Sequence, residues 1–98
     1  MVKNSLPEPA QAETDALHAL GWLAADPDLL SVFLGASGTD ASDLRARAGD
    51  RDFLASLMDF ILMDDAWVLA CADANGWPPE HVARIRQRLP GGDLPNWT

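Results

Sequence analysis

Two adjacent carboxylates, Asp64 and Asp65, stand where the sequence otherwise places hydrocarbon. They interrupt an apolar pattern that predicts one long helix over about residues 50–75. With Phe53 as origin and about 100° per residue, Asp64 falls at about 20° and Asp65 at about 120°, both inside the apolar arc. Because a buried, unpaired carboxylate is costly, either the helix kinks at this point or each carboxylate has a partner.

Two kinds of chemistry fit this pair of carboxylates. In a pocket near Trp67 and the glycine segment 35–38, they could perform acid–base catalysis or bind a cation. Alternatively they cap helix amides or form an internal ion pair, with an arginine of the last helix as one candidate partner. We favour this structural interpretation, because perturbed carboxylates often have structural roles.

The histidines and the cysteine form no recognisable site. His18 and His81 are far apart in sequence, and neither has the spacing of a metal-binding motif. Cys71 lies on the apolar stripe of the long helix, where a buried thiol is expected rather than a nucleophile. The sequence therefore predicts no catalytic residue, no metal and no cofactor.

The segment 35–38 contains Gly35 and Gly38 and superficially resembles a phosphate-binding loop. Backbone amides in such loops meet an anion at a helix N-terminus. Here no lysine is nearby, and Asp40 and Asp43 already occupy the positive end of the next helix. We therefore expect Gly35 and Gly38 to form a tight connector between packed helices.

The candidate contact residues are aromatic or basic. The chain has four tryptophans and no tyrosine, and Trp22, Trp77 and Trp97 lie at or beyond predicted helix edges. Tryptophan is enriched in interface hot spots, although it also anchors loops and tails to a domain's own surface. Arg84 and Arg88 lie on one face of the last helix, where a solvated stabilising role or an ion pair with Asp64 or Asp65 is expected.

Composition restricts the classes of partner. The chain carries 15 acidic and 7 basic residues, a net charge of -8, which disfavours nucleic acid and anionic membranes. The longest apolar run, residues 60–63, is far too short for a transmembrane helix. With one cysteine and no signal-like N-terminus, a cytoplasmic location is predicted. A protein partner would present a basic surface.

The elements that must position these residues are all helical. The pattern predicts a flexible leader over 1–9 and a single helical domain over 10–98 with a tail over 90–98. Helices are predicted over about 9–25, 27–34, 40–49, 50–75 and 80–89. The helix over 27–34 has almost no polar face and is expected in the core. The predicted fold is all-α, a small irregular bundle of four to five helices around one long helix at about 50–75.

Four sequence runs resemble a known family. They are LGWLAADP at 20–27, FLGASG at 33–38, DFILMDDAW at 59–67 and LPNWT at 94–98. Together they resemble the uncharacterised bacterial domain-of-unknown-function family numbered 3572, typical of alphaproteobacteria. The resemblance covers about residues 16–98 and implies no known activity, cofactor or site residue.

The leading functional hypothesis is a non-catalytic, cytoplasmic protein-interaction or regulatory module, because the chain offers surfaces and aromatic residues but no reaction centre. The alternative is a small enzyme or ligand-binding protein that uses Asp64 and Asp65 in a pocket. DNA binding is disfavoured by the net charge. The sequence carries no signal for the oligomeric state.

Overall fold

A computed structural model describes residues 7–90 of the chain. Within this range there are six α-helices, one 3-10 turn and no strand. An all-α fold is thus confirmed. The predicted leader 1–9 and tail 90–98, including Trp97, lie almost entirely outside the described residues. The elements are α1 (Pro9–Ala24), α2 (Pro27–Ser37), a 3-10 turn (Ala41–Asp43), α3 (Leu44–Arg47), α4 (Arg51–Leu62), α5 (Asp65–Asn75) and α6 (Glu80–Gln87).

The prediction of one long helix over 50–75 is wrong. The structure has two helices there, α4 and α5. The chain leaves the helical conformation at Asp64, whose φ of -140° and ψ of 118° are extended. The Asp64 side chain then accepts a hydrogen bond from the amide of Ala66 at 2.8 Å. A carboxylate that caps a new helix at this point makes a break more favourable than a continuous helix that would bury it.

Helix starts elsewhere follow the local chemistry of the sequence. Asp26 caps α2 by accepting a hydrogen bond from the amide of Leu29 at 3.2 Å, and Pro27 occupies the first position of the helix. Asp50 caps α4 through the amide of Asp52 at 2.9 Å. Caps of this kind fix the starts of α2, α4 and α5, whereas α1, α3 and α6 begin without a side-chain cap.

The end of α2 differs from the predicted connector over 35–38. The helix continues through Gly35 to Ser37, and Gly38 alone ends it with a left-handed φ of 72°. No atom lies within 4 Å of a Cβ placed at Gly35, so close packing does not require glycine there. Gly38 is therefore the position of this segment that favours glycine, because positive φ is accessible to glycine without steric cost.

The core is built between α1 and α4, and α1 contacts α2, α4, α5 and α6. On α1, Leu20 is buried, whereas Leu17 is 42% exposed and Ala24 is also exposed. On α2, Leu29 and Phe33 are buried but Val32 is 54% exposed. The largest fully buried side chains are Phe33, Leu23, Leu54, Leu57, Met58, Ile61, Ile85, Leu89, Val82 and Cys71.

No individual helix between residues 7 and 90 is both long and apolar enough to cross a membrane. Taken together, α1 and α2 meet that criterion by length and composition alone, with a bend of 117° between them.

Candidate functional site

Asp64 and Asp65 lie at the start of α5 and not in the core. Asp64 is half-buried and caps the helix, whereas Asp65 is exposed in its first turn, where a negative charge favours the positive end of the helix dipole. Trp67 lines an open groove on the surface, and neither carboxylate lines that groove. The geometry corresponds to the structural alternative, a kink with a capping carboxylate.

Replacing Asp64 with alanine is expected to lower the free energy of unfolding by about 1 kcal/mol, because the Ala66 amide loses its acceptor. Asp64→Asn retains a side-chain oxygen of similar reach, so it should stay within a few tenths of a kcal/mol of wild type. Urea unfolding of both variants measures the difference. Equal losses in the two variants would show that the charge of Asp64, and not its capping bond, stabilises the fold.

A buried polar centre formed by Asp15 and His81 was not predicted from the sequence pattern. Asp15 on α1 is 6% exposed. One of its carboxylate oxygens lies 2.9 Å from Nε2 of His81 on α6, and the other accepts a hydrogen bond from Gln11 at 2.9 Å. The ring of Trp77 meets His81 edge-on at 5.0 Å between centroids. Both oxygens of Asp15 are therefore engaged, and the group links α1 to α6.

The sequence did contain one indication that Asp15 is buried, namely its position on α1. It shares a face with the alanines at positions 12, 16 and 19, which follow the helical spacing of a buried stripe. His81 was considered only as a metal ligand, and its pairing with Asp15, 66 residues away, was not predicted. Trp77, predicted as a contact residue, here packs on the protein's own histidine.

The ion pairs of α6 involve a different arginine from those predicted. Arg86 holds Asp59 through two bonds of 2.6 and 3.2 Å and also donates to the carbonyl of Pro90 at 2.9 Å. Arg84 and Arg88 form no ion pair with any residue of the described range. Neither Asp64 nor Asp65 therefore receives the arginine that the sequence offered as a partner.

Charge is strongly segregated along the chain. Residues 4–44 and 52–83 contain no lysine or arginine, so α1, α2 and α5 carry none. The basic residues between 7 and 90 all lie on α3, at the first residue of α4, or at and just after α6. The surface formed by α2, α5 and the end of α1 is consequently acidic without compensating cations of its own.

An open groove of about 350 Å³ lies on this surface, between the end of α1, α2 and α5. We call it the acidic groove. It is lined by the apolar residues Trp22, Leu29, Val32, Trp67 and Ala70, with Asp26 and Asp28. The groove thus combines two large aromatic rings, exposed hydrocarbon and carboxylates.

A family model described as "Protein of unknown function (DUF3572)" matches residues 9–92. The chain belongs to this family. No curated protein and no solved structure matches this chain. The part of the chain that matches the DUF3572 model includes the whole acidic groove and the Asp15–His81 pair, and it ends before Trp97.

Cys71 and His18 are two further residues of this DUF3572 member whose side chains could take part in chemistry. Cys71 is buried, and burial raises the pKa of its thiol to about 11, so the thiol is protonated at neutral pH and a poor nucleophile. No group of three or more His, Cys, Asp or Glu side chains among residues 7–90 could hold a metal ion. His18 is exposed on α1.

Proposed function

We propose that this chain is a non-catalytic protein-interaction module that binds a partner with a basic surface through the acidic groove. The observation that carries the proposal is that two tryptophan rings and an acidic surface without cations of its own lie in the same place. The Trp22 and Trp67 rings open onto a surface whose three helices contain no lysine or arginine. Such a surface attracts a cationic partner at long range and offers apolar contacts at short range.

The exposed state of Val32 supports this proposal. Val32 projects from α2 into the groove and is 54% exposed, although Leu29 and Phe33 on the same helix are buried. An apolar side chain exposed beside two tryptophans offers a favourable contact to a partner. Binding buries its apolar surface, and the removal of that surface from water is favourable. The predicted cytoplasmic location is part of the same proposal.

The proposal is tested by site-specific photo-crosslinking in cells of the native host. A benzoylphenylalanine replaces Val32 in one variant and Leu69 in the other. Leu69 is a matched control because it is 55% exposed, lies on α5 and does not line the groove. We expect a discrete crosslinked protein from position 32 that is absent from position 69.

The crosslinked segment is then identified by mass spectrometry and should contain an excess of lysine and arginine. Asp28→Asn should reduce the yield several-fold and Asp73→Asn should leave it unchanged, because both remove one exposed carboxylate but only Asp28 lines the groove. The same species from positions 32 and 69, or none from position 32, would refute the proposal.

A further inference from the structure

Two tryptophan rings and two carboxylates line the same small groove. Trp22 comes from α1 and Trp67 from α5, while Asp26 and Asp28 belong to the start of α2. An aromatic face attracts a cation through its quadrupole, and Trp is the strongest of the side chains that do so. A carboxylate adds a charge-assisted hydrogen bond. These two interactions together favour an organic cation.

The ring of Trp67 is held in position before any partner binds. It stacks on Phe60 with 4.7 Å between centroids and 23° between planes, and Phe60 packs in turn on buried Phe33 at 5.2 Å. The surface of Trp67 that lines the groove therefore lies away from Phe60. A ring fixed in this way loses little conformational entropy on binding, which favours affinity.

The two carboxylates at the start of α2 repel an anion. One of them can still accept hydrogen bonds from a bound cation. Asp26 already accepts the hydrogen bond of the Leu29 amide, so the positive end of the helix dipole is compensated within the protein. Asp28 is exposed and forms no ion pair with any residue between 7 and 90. Its carboxylate is free to accept from a bound donor.

We propose that the acidic groove binds an arginine side chain carried by an amphipathic helix of the partner, an inference that rests on the proposed function. The guanidinium faces the tryptophan rings and donates to Asp28, and apolar side chains of the same helix contact Leu29 and Val32. Arginine fits better than lysine because its planar guanidinium stacks on aromatic rings and donates two parallel bonds to a carboxylate. A helix presents an arginine and apolar side chains on one face, which matches the placement of Asp28 beside the apolar Leu29 and Val32 in the groove.

The test uses the full chain labelled with 5-fluorotryptophan and followed by fluorine NMR, with resonances assigned by single Trp→Phe variants. The probe is a 16-residue alanine-based helical peptide with leucines at i, i+4 and i+7 flanked by arginines. A matched peptide replaces each arginine with citrulline, which has the same shape and no charge. We expect the Trp22 and Trp67 resonances to shift while Trp77 does not, and the arginine peptide to bind roughly tenfold more tightly than the citrulline peptide.

Matched variants locate the source of that preference. Asp28→Asn should remove most of the tenfold preference, whereas Asp73→Asn, with the same net charge, should keep it. Trp22→Leu retains apolar volume but removes the ring, so it should also reduce the preference; circular dichroism confirms that it folds. Equal affinity for the two peptides, or no shift with either, would overturn the inference, yet a crosslinked partner at position 32 would still support the proposed function. Equal shifts with N-acetyl-arginine amide alone would also overturn it, in favour of a small-cation site.

Discussion

Replacing His81 with alanine is expected to lower the free energy of unfolding by about 3 kcal/mol, because it leaves the buried carboxylate of Asp15 with only Gln11 as a partner. Asp15 is 6% exposed, so water replaces the lost imidazole poorly. Asp15→Ala should cost less than His81→Ala, since alanine suits the small-residue face of α1 and the orphaned histidine is partly exposed.

The matched control for this prediction is His18→Ala. His18 is exposed on α1, and its removal should change the free energy of unfolding by less than about 0.5 kcal/mol. Chemical denaturation of the single variants and of the Asp15→Ala, His81→Ala double variant gives the coupling energy of the pair. A loss in His81→Ala no larger than that in His18→Ala would show that the pair does not hold α1 to α6.

Phe33→Ala is expected to be as damaging, with a loss of about 3–5 kcal/mol. Phe33 is 1% exposed and its ring lies 5.6 Å from that of Phe53 and 5.2 Å from that of Phe60. Phe33 and Leu29 are the buried residues of α2, and Leu30 and Leu34 pack partly buried against the core beside them. The substitution should therefore open a cavity and also loosen the wall of the acidic groove.

Urea unfolding measures this loss, and Val32→Ala on the same helix is the control. Val32 is exposed, so its truncation should cost less than about 1 kcal/mol. Hydrogen exchange of the α2 amides should accelerate in Phe33→Ala well beyond that in Val32→Ala. Similar stability of the two variants would mean that the aromatic cluster does not hold α2 in place.

Local chemistry in the sequence was sufficient for the helical class and for most helix boundaries. Asp26 followed by Pro27, Asp50, and the Asn75–Gly76 stop each act within one turn of the chain, so their effect can be read without knowledge of the tertiary fold. The break at Asp64 obeys the same capping rule. It was predicted only as an alternative, because the apolar periodicity on both sides of Asp64 continues in phase.

The polar centre and the groove could not be predicted in the same way, because both depend on long-range packing. Asp15 and His81 are 66 residues apart, and only the packing of α1 on α6 brings them together. Trp22 was a predicted contact residue, whereas Trp67 was named as lying near a possible pocket of Asp64 and Asp65, on a helix that is in fact two. The break at Asp64 frees α5 to turn, and the structure places Trp67 in the groove with Trp22.

The charge pattern connects the sequence to the proposed function. The absence of lysine and arginine from 4–44 and from 52–83 is visible in the sequence, but its consequence depends on the contacts of α1 with α2 and α5. These contacts bring α2 and α5 against α1, and Asp26 and Asp28 line the groove between the three helices. Arginines elsewhere are partly committed, since Arg51 pairs with Glu13 and Arg86 with Asp59.

The measurement that tests the central claim most directly is the comparison of crosslinked products from positions 32 and 69. If the acidic groove is a protein-binding surface, position 32 yields a defined partner through a lysine- and arginine-rich segment, and position 69, equally exposed and equally apolar, does not. Identical products from the two positions, or an acidic crosslinked segment at position 32, would contradict the account.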